Sequence, residues 1–171
     1  MVEKLSQKGR ILIEERRRKL EEQLREMKLN YGLVVGSGGG DSYHDEQAYS
    51  TYSEILRIQT MLNMINRFSN CQELKPPNQF ERIEVGHLVK VEFSDDQEPR
   101  EEVSITILTE GDVLALGEFY NQKNEFLVSD KSPIGRALLG KRIKEEARYE
   151  TREGSFGVIV KEIRLADVFE P

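Results

Sequence analysis

The sequence predicts an α+β protein in which an N-terminal antiparallel two-helix coiled coil precedes a small C-terminal antiparallel β-sheet domain. Two long segments with heptad spacing of their apolar residues flank a glycine-rich bend, which is typical of a helical hairpin. The helical pattern ends at Pro76-Pro77, and short alternating segments rich in β-branched residues follow. We therefore place the hairpin at residues 1–74 with its tip at 36–49, a linker at 75–80 and the second domain at 81–171.

The net charge and the cysteine content exclude several kinds of protein and of site. The 171-residue chain has a formal net charge of −6, so it lacks the overall basic character of an autonomous nucleic-acid binder, although a local basic patch remains compatible with this charge. Cys71 is the only cysteine, which excludes an intramolecular disulfide and a cysteine-based zinc site. The start has no apolar signal region and no run approaches 18 apolar residues, so we expect a cytoplasmic protein.

The first helix is predicted over residues 7 to about 34, with Ser6 as its N-cap. Glu, Lys, Arg and Gln fill most positions between the apolar ones, and all four are strong helix formers. Arg17 occupies the one polar position of the heptad seam. The apolar members of this seam are Ile13, Leu20, Leu24, Met27, Tyr31 and Val34.

A bend is predicted after this helix because four of the five residues from Gly36 to Gly40 are glycine. Each glycine costs on the order of 1 kcal/mol in a helix interior. The helical period then resumes in a second segment of similar length. Two such seams joined by a tight bend predict an antiparallel hairpin. The second seam consists of Ala48, Thr51, Ile55, Ile58, Leu62 and Ile65.

Three acids, Asp41, Asp45 and Glu46, follow the bend directly. They could complement the dipole of the second helix, with Asp41 as its N-cap. Alternatively, Asp41 and Asp45 could share one divalent cation whose shell a partner completes, since Mg²⁺ commonly takes only one or two carboxylates from a protein. His44 adds too few ligands for a closed zinc site. A dinucleotide-binding G-x-G-x-x-G pattern is excluded because Asp41 stands at its third glycine.

The second domain is predicted to contain strands and one short helix. Ser132 is the expected N-cap of this helix, Pro133 its first residue and Gly140 the glycine past its end. His87 is interpreted as a surface or edge histidine at the start of a strand. The strands are predicted at 86–93, 103–108, 125–128, 145–151 and 156–163.

The segment from Val128 to Lys141, Val-Ser-Asp-Lys-Ser-Pro-Ile-Gly-Arg-Ala-Leu-Leu-Gly-Lys, is similar to the C-terminal signature of the bacterial Gre transcript-cleavage factors, the GreA/GreB family. The opening Leu5-Ser6-Gln7-Lys8-Gly9 resembles the Leu-Thr-x-x-Gly start of the same family. The resemblance implies a coiled coil that enters the secondary channel of bacterial RNA polymerase. It also implies an FKBP-like second domain that docks outside, at the mouth of the channel.

The resemblance further implies roles for the tip residues. In the family, two acids in an Asp-x-x-Glu arrangement help to hold the second Mg²⁺ of the polymerase site, where water attacks backtracked RNA. Such a factor is not an enzyme by itself, because the polymerase supplies the main catalytic acids. Here Asp41 follows a glycine as the first acid does, but His44 stands three residues later in place of Glu. We expect Asp41 and Asp45 to hold the metal, with Glu46 as the reserve acid.

Other residues are expected to make contacts instead of holding metal. His44 would contact water or phosphate, and Tyr43 or Tyr49 would pack on RNA or on the polymerase. The docking domain would carry the signature residues Ser132, Pro133, Ile134, Gly135 and Gly140.

The predicted function is therefore that of a monomeric elongation factor that meets the 3′ end of nascent RNA in the channel and stimulates its Mg²⁺-dependent cleavage. Three alternatives remain open. One is a channel-binding inhibitor without cleavage activity, which the departure at His44 would suit. The second is a peptidyl-prolyl isomerase, from the FKBP-like fold. The third is a plain coiled-coil adaptor, which would leave the tip acids unused.

Overall fold

The computed structural model describes residues 3–36, 42–94, 102–121 and 125–169. The chain divides into two compact units: residues 11–70, called here the hairpin unit, and residues 1–10 with 71–171, called the β-unit. This division differs from the boundaries expected from the sequence. Residues 1–10 and 71–74, which were expected in the hairpin, belong to the β-unit, as does the expected linker at 75–80. The physical reason is that strand β1 (Lys4–Leu5) pairs in parallel with strand β2 (Gln72–Glu73).

The hairpin unit consists of two long helices, as the heptad patterns predict. Helix α1 spans Gln7–Gly36 and helix α2 spans Ser42–Asn66. Seam residues distant from the bend are the buried ones, whereas Leu24, Met27 and Tyr31 are only half-buried. The buried seam residues are Ile13, Leu20, Ile55, Ile58, Leu62 and Ile65.

The two helices run antiparallel. The Tyr31 ring of α1 packs against the Tyr52 ring of α2, with centroids 5.9 Å apart. Strand β1 directly precedes α1 and strand β2 follows α2, and these two strands pair with each other. Because the start of α1 lies near the end of α2, while Tyr31 near the end of α1 contacts Tyr52 in the first half of α2, the predicted antiparallel direction is confirmed.

The β-unit contains a five-stranded sheet in the order β5–β4–β3–β7–β6. The strands are β3 (His87–Phe93), β4 (Glu102–Leu108), β5 (Phe126–Ser129), β6 (Glu146–Thr151) and β7 (Gly154–Leu165). Strand β5 pairs in parallel with β4, so the sheet is mixed and the prediction of a purely antiparallel sheet is wrong at this edge. A parallel pair needs a crossover connection, and helix α3 (Glu110–Asn121), which was not predicted, provides it.

The short helix α4 spans Pro133–Leu138 and confirms the predicted capping. Ser132 is its N-cap, and the side-chain oxygen of Ser132 accepts a hydrogen bond from Gly135 N at 3.1 Å. Leu138 joins a buried core that is otherwise formed mainly by strand residues. Its other members are Ile83, Val89, Val91, Ile105, Ile107, Ala147, Val158, Val160 and Ile163.

His87 is fully buried, so its interpretation as a surface or edge histidine is wrong. Its Nδ1 accepts a hydrogen bond from Glu84 N at 2.9 Å, and its ring lies 5.2 Å from the ring of Phe80. Burial lowers the pKa of His87 below its usual value, while the charge of Glu84 acts in the opposite direction. The histidine is therefore part of the interior, where burial disfavours its charged form.

Across the described residues, no helix is both long enough and apolar enough to cross a membrane.

Candidate functional site

Of the predicted tip, the structure describes Gly36 as the last residue of α1 and residues 42–49 as the start of α2. Because α2 begins at Ser42, Asp45 and Glu46 are the fourth and fifth residues of the helix. Asp41 precedes the first helical residue but lies outside the described residues, as do the side chains of Tyr43, His44 and Asp45. The predicted roles of these four residues therefore stay predictions.

The described residues of the tip region expose both charge and aromatic surface. Glu46 is exposed, and Tyr49, almost one turn further along α2, is 76% exposed. Tyr52 differs from Tyr49 because it packs against Tyr31 of α1. Tyr49 is thus available to a partner, whereas Tyr52 also contributes to the contact between the helices.

The described residues contain no group of three or more His, Cys, Asp and Glu side chains that could hold a metal ion. Glu46 is the only predicted tip acid whose side chain is described, and it is exposed. Carboxylates are suitable ligands for Mg²⁺, which often takes only one or two of them and its remaining ligands from elsewhere. The exposed carboxylate of Glu46 is of the ligand type that a Mg²⁺ site shared with a partner would use.

The signature residues form a tightly bonded turn before and within α4. The Ser132 hydroxyl donates to Ser129 O at 2.7 Å and accepts from Gly135 N at 3.1 Å. A Cβ at Gly135 would overlap Ser129 O, so only glycine fits there. Gly140 has a φ of +79°, a left-handed conformation that favours glycine. These residues have clear structural roles.

Two signature residues differ in what they present to solvent. Ile134 is partly buried against the core of the β-unit, whereas Pro133 is exposed at the first position of α4. Pro133 is therefore the signature residue best placed to contact a partner directly. The docking role of the segment stays a prediction.

Sequence reasoning missed a buried polar cluster around Asp112, which is inaccessible to solvent. Ser6 donates its backbone N–H to both carboxylate oxygens of Asp112, at 3.0 and 3.1 Å, and its hydroxyl to Oδ1 at 2.6 Å. The Thr109 hydroxyl donates to Oδ2 at 2.9 Å. Burial raises the pKa of Asp112, and the hydrogen bonds from Ser6 and Thr109 oppose that shift. The sequence signal that could have indicated the start of α3 is the spacing Thr109-x-x-Asp112, which resembles a capping box.

Comparison with known proteins adds evidence of relationship. The family described as "Transcription elongation factor, GreA/GreB, C-term" matches residues 77–165, more than half of the chain. Transcription elongation factor GreA of Streptococcus pneumoniae serotype 4 is 26% identical over 167 residues, covering 87% of this chain and 91% of that protein. GreA of Streptococcus sanguinis is 26% identical over 163 residues, with coverages of 87% and 91%.

Among solved structures, the GreA factor homolog 1 (Gfh1) protein of Thermus thermophilus is 22% identical, covers 96% of this chain and 99% of that chain, and gives a TM-score of 0.42. A GreA/GreB elongation factor from Nitrosomonas europaea is 19% identical, with coverages of 59% and 76% and a TM-score of 0.37. The extent of the family match decides the relationship: this chain belongs to the GreA/GreB family of transcription elongation factors.

Proposed function

We propose that the protein binds RNA polymerase through the secondary channel and stimulates Mg²⁺-dependent cleavage of backtracked nascent RNA, so that arrested complexes resume synthesis. The observation that carries this proposal is the position of Asp45 and Glu46 in the first turns of α2, the second helix of an antiparallel pair. At about 1.5 Å per residue, the 30 residues of α1 extend about 45 Å. A hairpin with an arm of this length can place acids at its far end deep inside a partner.

The tip residues have two kinds of role in this proposal, metal binding and contact with the partner. Asp41 and Asp45 would hold Mg²⁺ together with carboxylates of the polymerase, and Glu46 would be the reserve acid. Bound there, Mg²⁺ supplies Lewis acidity for the attack of water on a phosphodiester. His44 would contact water or phosphate, and Tyr43 or Tyr49 would pack on RNA or on the polymerase. The chain donates part of a site and has no hydrolytic activity of its own.

The β-unit would dock outside the channel, with the exposed Pro133 among its contacts. The tight turn formed by Ser132 and Gly135 gives that surface a fixed shape, and Ile134 packs against the core. The protein would act as a monomer and would meet the 3′ end of the nascent RNA only inside the channel.

Transcript cleavage by stalled elongation complexes with purified polymerase tests this proposal. Wild type should shorten the stalled transcripts, and Asp41→Asn combined with Asp45→Asn should abolish the stimulation. Glu150→Gln, a change of charge at an exposed residue of the β-unit, is the matched control and should leave cleavage unchanged. Stimulation that persists in the double variant would exclude the metal role of these two acids.

A second candidate function is inhibition of the polymerase from within the channel without cleavage. The observation that favours it is His44, which stands three residues after Asp41 where the Asp-x-x-Glu pattern has its second acid. This candidate predicts slower synthesis and no shortened transcripts in the same assay. His44→Glu would then be expected to create cleavage activity, which the first candidate does not require.

A further inference from the structure

A positively charged loop follows α4 in a chain whose overall charge is negative. It comprises Lys141–Glu145 and is called here the basic loop; it has three cationic residues and one carboxylate in five positions. Arg142 and Lys144 are exposed. Arg82 lies beside the loop, because its Nη1 donates to Gly140 O at 3.2 Å. The formal charge of the whole chain is −6, so this concentration of cations is local.

The backbone of the basic loop is held at both ends. At its start, Gly140 N donates to Ile83 O and Ile83 N donates to Lys141 O, both at 2.8 Å. At its end, Lys144 N donates to Val160 O at 2.8 Å and Val160 N donates to Glu145 O at 3.1 Å. The loop therefore presents its side chains from a fixed position on the sheet.

Lys144 adopts a strained conformation within this loop. Its φ is +73°, and among the described residues it is the one non-glycine residue with a positive φ. Left-handed backbone at a residue with a long side chain costs free energy, and such strain clusters at functional sites. A glycine or asparagine would adopt this conformation at a lower cost in free energy.

Ile143 lies between these cations and is 47% exposed. A single exposed isoleucine is ordinary on a protein surface. Here it is flanked on both sides by exposed cations, on a turn that the backbone bonds already maintain without it. Within the described residues, no ion pair engages the side chains of Lys141, Arg142 or Lys144, whereas the neighbouring Glu146 pairs with Arg148 at 2.9 Å. Both the charges and the apolar side chain are thus open to a partner.

We propose that the basic loop is a docking contact for an acidic protein surface with an apolar depression that receives Ile143. This inference rests on the proposed function and assigns that surface to RNA polymerase. A rigid turn favours such an interface, because little conformational entropy is lost on binding. A nucleic acid is a less suitable partner, because the loop has no aromatic residue for base stacking and the chain as a whole repels phosphate.

Equilibrium binding of the labelled full-length protein to purified bacterial RNA polymerase, at low and at high salt, tests the assignment. Arg142→Gln with Lys144→Gln neutralises the exposed cations, and Ile143→Ser removes the apolar contact. The matched charge control is Lys75→Gln with Arg152→Gln, two exposed cations of the β-unit outside the loop. The matched apolar control is Phe126→Ser, at a side chain of the β-unit outside the loop that is 61% exposed. Circular dichroism verifies that each variant is folded.

We expect the double neutralisation to weaken binding roughly tenfold at low salt and less at high salt, because screening reduces the contribution of exposed charges. Ile143→Ser should weaken binding about fivefold at both salt concentrations, and the controls should bind as wild type does. Loop variants that bind as tightly as wild type would overturn the inference while leaving the proposed function intact. Wild type that fails to bind the polymerase would overturn both. If the neutralised variant instead loses affinity for a short RNA or DNA oligonucleotide alone, the loop is a nucleic-acid contact and the inference is wrong.

Discussion

The Ser6 hydroxyl donates a hydrogen bond of 2.6 Å to Asp112 Oδ1, although the two residues are 106 positions apart in the chain. The same hydroxyl oxygen accepts from Gly9 N at 3.0 Å and so caps the first turn of α1. A Cβ at Gly9 would overlap Asp112 Oδ1. The opening Leu5-Ser6-x-x-Gly9 is therefore explained by its contact with α3, independently of any role in binding.

Gly9→Ala is expected to destabilise the protein, because the added methyl group cannot fit beside Asp112. The expected loss is about 1–3 kcal/mol in the free energy of unfolding, the usual cost of overpacking a buried site. Gly32→Ala is the matched control in the same helix, since a Cβ there meets nothing within 4 Å. It should raise stability by up to about 1 kcal/mol. Denaturant unfolding followed by circular dichroism measures both, and equal stability of the two variants would contradict the packing account.

Gly135→Ala and Pro133→Ala should separate the structural and binding roles of the signature segment. The first change forces a Cβ onto Ser129 O and should cost about 1–3 kcal/mol of stability. Pro133 is exposed, so its replacement should change stability by less than about 1 kcal/mol. If the segment docks, Pro133→Ala should nevertheless weaken binding to the polymerase. Unchanged affinity in this variant would limit the signature to a structural role.

Tyr49→Ala and Tyr52→Ala should have different effects although both side chains lie on α2. Tyr49 is 76% exposed, so its removal should change stability by no more than about 0.5 kcal/mol. Tyr52 loses its ring contact with Tyr31, worth about 0.5–1.5 kcal/mol beyond the buried area. Thermal unfolding measures this difference, and the transcript cleavage assay measures activity. Full cleavage by Tyr49→Ala would contradict a contact between Tyr49 and RNA or polymerase.

His87 should make the protein less stable as the pH falls. Because burial lowers the pKa of His87 in the folded state, the unfolded chain binds the proton more tightly. The stability contribution of His87 is thus complete above the unfolded pKa of about 6.5 and is lost progressively below it.

The variant His87→Gln keeps an acceptor for Glu84 N–H but cannot titrate. The difference in unfolding free energy between wild type and this variant should depend on pH below about 6.5 and be constant above it. Taking the difference removes the contribution of Asp112, whose raised pKa acts in the opposite sense. A difference that is constant from pH 8 to pH 5 would show that His87 is not held neutral by burial.

The sequence was informative where local chemistry determines structure. The heptad spacing identified both helices, and Ser132 and Pro133 identified the start of α4 before any tertiary contact was known. Helix α3 was missed because Gly111 and Gly117 weaken its local preference, and burial of Leu116 and Tyr120 compensates.

Features that depend on distant contacts were not predictable. A two-residue strand such as β1 carries no periodicity, so its pairing with β2 could not be read from the sequence. His87 was misjudged because the alternating pattern begins only at Leu88, whereas the burial of His87 depends on Phe80 and on Glu84 N. At the tip, the residue types predicted metal binding and contacts with a partner. Among the residues named for these roles, the structure describes only the side chains of Glu46 and Tyr49.

The parallel pairing of Lys4–Leu5 with Gln72–Glu73 fixes the two ends of the hairpin next to each other within the β-unit. In the order of the chain, the hairpin unit is an insertion between two segments of the β-unit. The hydrogen bonds between β1 and β2 hold these two segments together where the insertion begins and ends. Whole heptads could therefore be added to or removed from both arms without altering the strands that close the insertion. A change in the length or chemistry of the tip would then leave the sheet and its surface unaltered.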